Sequence, residues 1–429
     1  MRSAFVIVAA AALLFTTGEG GPTIPPSCPG VPDPLYEFEL IEGWAAAKVA
    51  DGLTSPRGLV IDTAGRLLIV QIGRGISQHA VDINGCITSS RFIISDPTLN
   101  HGIYLGTDCH TLYASSDSTV YKWTYNPDTG DVGVTSDTIV SGMAYNGHVT
   151  RTLIIPPNRP DLLVVAHGSN GNLDYASSDP AIARAIVKVF NTSAVPNGGY
   201  NYANDGWNAG YGLRNEVGLA FDGNNFLWGV ENSADELNRT VNGISADIHE
   251  DNPAEELNFL GDVRIPNNEW YGYPTCFTIW SPSPDMSGLG VGQQFVQEPN
   301  AMFDDSNCTR SSIAPLLTFQ AHMAPLDAKF DSLYMNLYVT MHGSWNRDPP
   351  VGYKLVAVPF NRNGPNGDYL PVAPPNSKQG YVDIFYPPNE GMCSSTACAR
   401  PVGLVFDAVG RLYMSSDTSG EIFILSGGQ

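Results

Sequence analysis

The stretch "YGLRNEVGLAFDGNNFLWGVENSADEL", residues 211–237, holds two apolar runs of period two separated by Asp-Gly-Asn-Asn. Alternation of that period marks a half-buried strand, and the Asp/Gly/Asn cluster supplies the turn of a hairpin. The same design recurs in "SPRGLVIDTAGRLLIVQIG" (55–73) and "RPVGLVFDAVGRLYMSSD" (400–417). Each reads Gly-Leu-x-Ile/Phe-Asp, then a turn, then a second apolar run. Weaker copies lie at 100–117, 150–168 and 324–343. Six paired-strand units spread from residue 55 to residue 425 predict an all-β, six-bladed β-propeller with long inserted loops. A β-sandwich with coincidental hairpins is the alternative. The alternating segment 35–53 precedes the first copy and predicts an outer strand that closes the ring. The longest gap, around 238–320, is rich in Asn, Pro and Asp and predicts inserted loops on one face.

In a propeller the innermost strand of each blade lines the axis, so residues at the strand starts converge. There the sequence places Arg57, His101, His148 and Arg151, Arg214, His322 and Arg400. With only 22 Lys and Arg in the chain, that set predicts an anion on the axis. One such residue alone would be a paired loop residue. "MHGSWNRDPP" (341–350) adds His342, Trp345, Asn346 and Arg347, an indole beside a guanidinium, which suits a flat anionic ligand. In "VENSADEL", Glu231, Asn232 and Asp235 offer hard oxygen donors for calcium. Asp62, Asp222 and Asp407 recur in the repeat and are read as turn-formers. If instead they made a carboxylate cage at the axis, the chain would be a calcium-dependent propeller lactonase. A non-catalytic carbohydrate- or protein-binding propeller would lack the cation set.

Charged residues are only 15% of the 429, whereas Gly (44) and Pro (32) are abundant, as many short strands and tight turns require. The net charge of −21 excludes nucleic acid and anionic membrane as partners. Residues 1–20 read as a secretory signal peptide: one Arg, a short apolar run, then small residues. They leave 21–429 as a single propeller domain in a secreted, extracellular protein. Sequons at Asn191, Asn238 and Asn307 agree with a glycoprotein. Seven cysteines in an oxidising compartment predict, by proximity, the pairs 86–109, 276–308 and 393–398, with Cys28 left over.

Taken in order, "NGHVTRTL", "GLRNEVGLAF…VENSADEL", "NPAEELN…WYGYPTC", "AHMAPLDAKF", "HGSWNRDPPVGYK" and "ARPVGLVFDAVGRLYMSSDTSGEIF" resemble the fungal pyrroloquinoline-quinone (PQQ) dependent pyranose dehydrogenases. These are relatives of bacterial soluble glucose dehydrogenase and the glucose/sorbosone dehydrogenases. The resemblance covers essentially the whole mature chain. It implies PQQ and calcium as cofactors, a pyranose or 2-keto-aldose as substrate, and a cytochrome-type or artificial electron acceptor. His148 matches the general base, which takes the anomeric hydroxyl proton as hydride moves to the quinone. Arg214 and Asn215, whose "LRN" matches the family's "HRN", would sit at the quinone carbonyls. Arg57, Arg347 and Arg400 would pair with PQQ carboxylates, beside His322, His342 and Asn346, with Trp345 flanking the ring. Calcium would be held near Val230, Glu231 and Asn232, partly by backbone carbonyls, where bacterial relatives read "GPNSDDE". The insertion at 238–320 departs from bacterial members, so glucose does not follow as the substrate.

Overall fold

A computed structural model describes residues 23–143, 147–286 and 288–427. The predicted leader, residues 1–20, lies outside the described residues. Among the described residues six sheets of four or more strands, antiparallel except where Tyr200–Asn201 joins the edge of the second in parallel, follow one another around an axis as a β-propeller. Their innermost strands are Pro56–Ile61, Ile103–Leu105, Leu153–Ile154, Glu216–Phe221, Pro325–Phe330 and Pro401–Phe406, in blades one to six. Each is the first half of one of the six hairpins read from the sequence.

The repeated Gly-Leu has a steric cause. A Cβ on Gly58 would stand 2.4 Å from the His101 carbonyl oxygen of the next blade. On Gly403 it would stand 2.3 Å from the Arg57 carbonyl oxygen. Inner strands crowd together around the axis, and only glycine lets the backbones approach this closely. The recurrent aspartates also have a local task. Asp222 Oδ1 accepts the Asn224 and Phe226 N–H groups at 2.8 and 3.0 Å, and Asp62 and Asp407 do the same in their own turns. They cap hairpins on the outside of the turn and build no axial cage, which removes the feature a lactonase needs.

Closure follows the predicted route. Trp44–Ala50 pairs antiparallel with Glu421–Gly427 as the outermost strand of blade six, with Ala47 opposite Ile424. Just before it, Glu39–Leu40 joins the outer edge of blade five. The N-terminal segment therefore ties the last two blades. Apolar faces of neighbouring blades pack together between sheets. Fully buried Trp228 of blade four, for example, meets Phe360 of blade five edge-on at 5.0 Å.

The gap at 238–320 is only partly insertion, because blade four takes its outer strands, Glu255–Gly261 and Leu317–Phe319, from within it. The remainder forms two hairpins, Asn238–Val241 with Ile244–Asp247 and Cys276–Thr278 with Gln294–Val296, and the helix Asp305–Ser311. Buried Arg239 pins these pieces through Asp285 and Asp305. The disulfides are Cys28–Cys86, Cys276–Cys308 and Cys393–Cys398, and Cys109 is free. The expected 86–109 pair is thus corrected. Cys86 and Cys109 lie on turns of different blades, and the N-terminal segment brings Cys28 onto blade one.

Candidate active site

A cavity of about 170 Å³ opens where the strand starts meet the axis. It is lined by His148, Arg214, Asn215, Asn232, Ser233, Asp235, Glu255, His322, His342, Trp345, Asn346 and Arg400. The sequence had marked ten of these: His148, Arg214, Asn215, Asn232, Asp235, His322, His342, Trp345, Asn346 and Arg400.

His148 is anchored on one side of its ring. Nδ1 stands 3.1 Å from both the carbonyl oxygen and the hydroxyl oxygen of Ser169. That hydroxyl donates its own proton to the Gly171 carbonyl at 2.7 Å. Both neighbours therefore accept, so Nδ1 carries the hydrogen and Nε2 is left with a lone pair. Gly168 makes room for this ring, because a Cβ there would stand 2.7 Å from His148 Cβ and 2.5 Å from Asn215 Oδ1. Burial, and then the nearby Arg214 charge, push the His148 imidazole down to about 4. A lowered value means that the neutral, proton-accepting form persists throughout the range above that pH. An NMR titration of the cofactor-free protein should therefore find this ring neutral at pH 5.5. In Arg214→Gln the midpoint should rise, because the larger of the two charges that lower it, Arg214 ahead of Arg151, is gone. A wild-type midpoint near the ordinary imidazole value would show that the ring is solvated.

Arg214 is 3% exposed and held on every side. Its guanidinium donates to Asn172 O, Asn232 O, Asn172 Oδ1 and Asp235 Oδ2 at 3.0–3.2 Å. Its own N–H donates to Glu231 Oε1 at 2.7 Å. His322 has left-handed backbone, φ 70°, a strained conformation of the kind that functional sites retain. Its Nε2 donates to His249 O, and Nδ1 lies 3.4 Å from Asp235 Oδ1. Burial would lower this imidazole, but Asp235, the His249 carbonyl and Glu255 outweigh it and the value is raised. Arg400 donates from Nε to His342 O and from Nη2 to Gly343 O, at 2.9 and 3.1 Å. The Asn346 side-chain amide is buried with neither its oxygen nor its nitrogen paired. Trp345, 66% exposed, stands at the mouth.

These groups suit a planar polyanion: three cationic or donor side chains, Arg214, Arg400 and His322, and an amide with unmet hydrogen-bonding capacity. Hard oxygens for a calcium ion come from Asp235, Glu255, Asn232 and Ser233. Burial pushes Glu255 up to about 7, although the Ser233 and Ala324 N–H groups hold its carboxylate. Among the described residues no three His, Cys, Asp or Glu side chains converge to hold a metal ion. A bound cation would therefore also draw on backbone carbonyls and on its co-ligand.

Residues 38–428 match the TrAA12-like family model. The chain belongs to the TrAA12-like family. It is 41% identical over 407 residues to a pyrroloquinoline quinone-dependent pyranose dehydrogenase of Coprinopsis cinerea, covering 93% of this chain and 56% of that protein. The chain thus spans about half the length of that relative. The holo form of the PQQ domain of the Coprinopsis enzyme superposes with a TM-score of 0.90 at 41% identity, over 93% of this chain and 99% of that one. The calcium structure of a Trichoderma reesei carbohydrate-active enzyme of family AA12 gives 0.86 at 37% identity, over 93% and 99% of the two chains.

Six sequence-predicted residues stand outside this TrAA12-like site. His101 lines a separate axial cavity, and Arg151 donates to the His148 carbonyl at 2.7 Å. Arg57 points beneath the pocket floor, where Nη1 meets Asp417 Oδ2 at 2.7 Å. Arg347 is captured by the acidic loop 247–257, donating to Glu250 O at 2.8 Å and pairing with Asp251 at 3.0 Å. Val230 is an aliphatic core residue of blade four. The Glu231 carboxylate caps the Arg214 N–H and takes the Asn258 amide at 3.2 Å, facing away from the pocket. Burial, and then Glu256 and Glu216 beside it, hold it well above the ordinary carboxylate range. Of the four calcium candidates, Val230, Glu231, Asn232 and Asp235, the last two line the cavity. Glu255 was missed, although strand parity in "AEELNFLG" separates it from Glu256, which packs on the other face.

Proposed function

We propose that this chain is a PQQ- and calcium-dependent sugar dehydrogenase, oxidising the anomeric hydroxyl of a pyranose or 2-keto-aldose. The carrying observation is a half-buried histidine with a free Nε2 beside a cation-lined slot holding the unpaired Asn346 amide. The Coprinopsis relative is named as a PQQ-dependent pyranose dehydrogenase, and the Trichoderma structure is a calcium structure, both in the family to which this chain belongs. The bound pair supplies a hydride-accepting quinone carbonyl polarised by a Lewis acid.

The protein does the rest. Arg400, His322 and the Asn346 amide hold the anionic rim of the cofactor, and Asp235, Glu255, Asn232 and Ser233 hold the metal. His148 takes the anomeric hydroxyl proton at Nε2 while the same carbon gives up its hydride. Arg214 sets its guanidinium against the negative charge that develops. Trp345 offers a flat apolar face at the mouth on which a sugar ring stacks. Export of the protein, and a cytochrome-type or other one-electron acceptor, belong to the same proposal. Three disulfides suit an oxidising compartment.

Calorimetric titration of the cofactor-free protein with PQQ should give one site, lost on removing calcium with a chelator and regained on adding it back. The loaded protein should then reduce an artificial dye with at least one member of a pyranose panel. Absence of PQQ binding with calcium present overturns the proposal.

A further inference from the structure

Three imidazoles line the pocket, and their hydrogen bonds give them different tasks. His322 is engaged at both nitrogens, by His249 O and by Asp235. A ring engaged on both sides has no free nitrogen to offer. His148 is anchored at Nδ1 alone. His342 is anchored in mirror fashion, with Nε2 2.9 and 3.1 Å from the two oxygens of Asp417. An ionised carboxylate only accepts, so Nε2 carries the hydrogen and Nδ1 keeps the lone pair. Asp417 is braced by Arg57 Nη1 at 2.7 Å. The pocket thus holds two imidazoles with a free nitrogen, and the one backed by a carboxylate is His342.

Proton accounting gives the second one a task. Oxidising a hemiacetal carbon to a lactone removes two electrons and two protons, one from the hydroxyl and one with the hydride. A one-electron acceptor, used twice, takes electrons only, so both protons leave the pocket in each turnover. His148 receives the first. Another imidazole, His101, stands in the neighbourhood of Asp417. His101 is 4% exposed, lies within electrostatic reach of Arg57, Asp417 and His342, and has an unpaired Nδ1. Its ring lines an axial cavity of about 310 Å³ to which the inner strands of all six blades contribute. Thr152, Asp327 and Lys329 give that cavity polar groups, and Lys329 also lines the larger cavity at the opposite mouth. A void of this size with several polar partners holds water, and water carries protons across gaps too long for direct contact.

We propose that His342 accepts the second proton at Nδ1, and that Asp417 and His101 pass it to the axial cavity, an outlet on the side away from the sugar. The proposal rests on the quinoprotein reading above. His342 is then a second catalytic base, and Asp417 and His101 are positioning and relay residues. The outlet is tested on loaded protein reduced with dithionite and mixed with ferricenium, a one-electron acceptor, in a stopped-flow instrument, so that no sugar is needed.

In His342→Gln the reoxidation rate should fall about 10²-fold, at the lower end of general acid–base effects, and added imidazole should restore part of it. Asp417→Asn and His101→Gln should each slow the same step by about tenfold or more. His148→Gln should instead slow sugar-driven reduction more than reoxidation. Equal slowing of both half-reactions in His342→Gln, or no slowing, overturns the outlet, and failure of the wild-type protein to bind PQQ overturns both proposals. A measurement free of cofactor guards against variants that load poorly. Nitrogen-15 NMR of the unloaded wild type should show His342 protonated at Nε2, and Asp417→Asn should lose that preference. A wild-type ring protonated at Nδ1 overturns the assignment.

Discussion

In His148→Gln the rate of sugar-driven cofactor reduction should fall by about 10²–10⁴-fold, the range general-base removal produces. In barrier terms that is about 3–5 kcal/mol. The size follows from the ring's surroundings. Its Nδ1 hydrogen is committed to Ser169, so the function left to the imidazole is to take up a proton at Nε2, and a glutamine amide, which accepts hydrogen bonds but is not basic, cannot do that. The loss should fall mainly on kcat, because His148 contributes neither a cation nor an anchoring hydrogen bond to the slot. A primary deuterium effect from sugar labelled at the anomeric carbon should persist in the variant, since hydride transfer remains part of the slow step. Full retention of the reduction rate would remove His148 from the mechanism. A large rise in KM with unchanged kcat would recast it as a sugar-binding residue.

The placement of the base was legible because the propeller geometry is carried by local sequence. Period-two runs flanking an Asp-centred turn identify an inner hairpin, and its start then lies at the axis without any knowledge of tertiary structure. The direction of each side chain was not legible. Both arginines lie at the start of an inner strand, Arg57 as the second residue of Pro56–Ile61 in blade one and Arg400 just before Pro401–Phe406 in blade six. Yet Arg400 lines the pocket, while Arg57 is turned beneath it by Asp417. The partner that decides this is 360 residues away in sequence. Arg347 was similarly decided by Glu250 and Asp251, whose loop folds back from the blade-four insertion.

Glu231 shows the same limit in another form. A carboxylate next to the axis reads as a metal ligand, but in the fold its oxygen is the acceptor that holds the Arg214 backbone. Proximity in sequence also misassigned Cys86, whose partner is set by where residues 23–50 wrap. The outer strands of the blades have no shared motif, since they meet solvent or neighbouring loops rather than a crowded axis. Only the closing strand was readable, from its alternation and its place before the first repeat.

That closing strand should be the point at which stability is most easily lost, and Lys48→Ala tests it. Lys48 is 6% exposed and Glu421, its neighbour on the last strand of blade six, is 1% exposed. Lys48 Nζ lies 3.3 Å from Glu421 Oε1 and donates to Asp33 O at 2.7 Å. The same Glu421 oxygen also accepts the Leu35 N–H at 2.8 Å. Removing the ammonium leaves a carboxylate buried without a counter-charge, which costs about 3–5 kcal/mol. The loss falls on the strand pair that joins the two ends of the ring. For a large domain each kcal/mol moves the melting point by about 2–4 °C, so Lys48→Ala should unfold about 6–20 °C lower in a calorimetric scan. The double variant Lys48→Met, Glu421→Leu should recover most of the loss, because an apolar pair of similar volume avoids the desolvation of both charges. A single variant within about 2 °C of wild type would mean that the Glu421 carboxylate finds water or a proton instead. Closure would then depend on the backbone ladder from Trp44 to Ala50 and on the buried Ala47 and Val49 side chains alone.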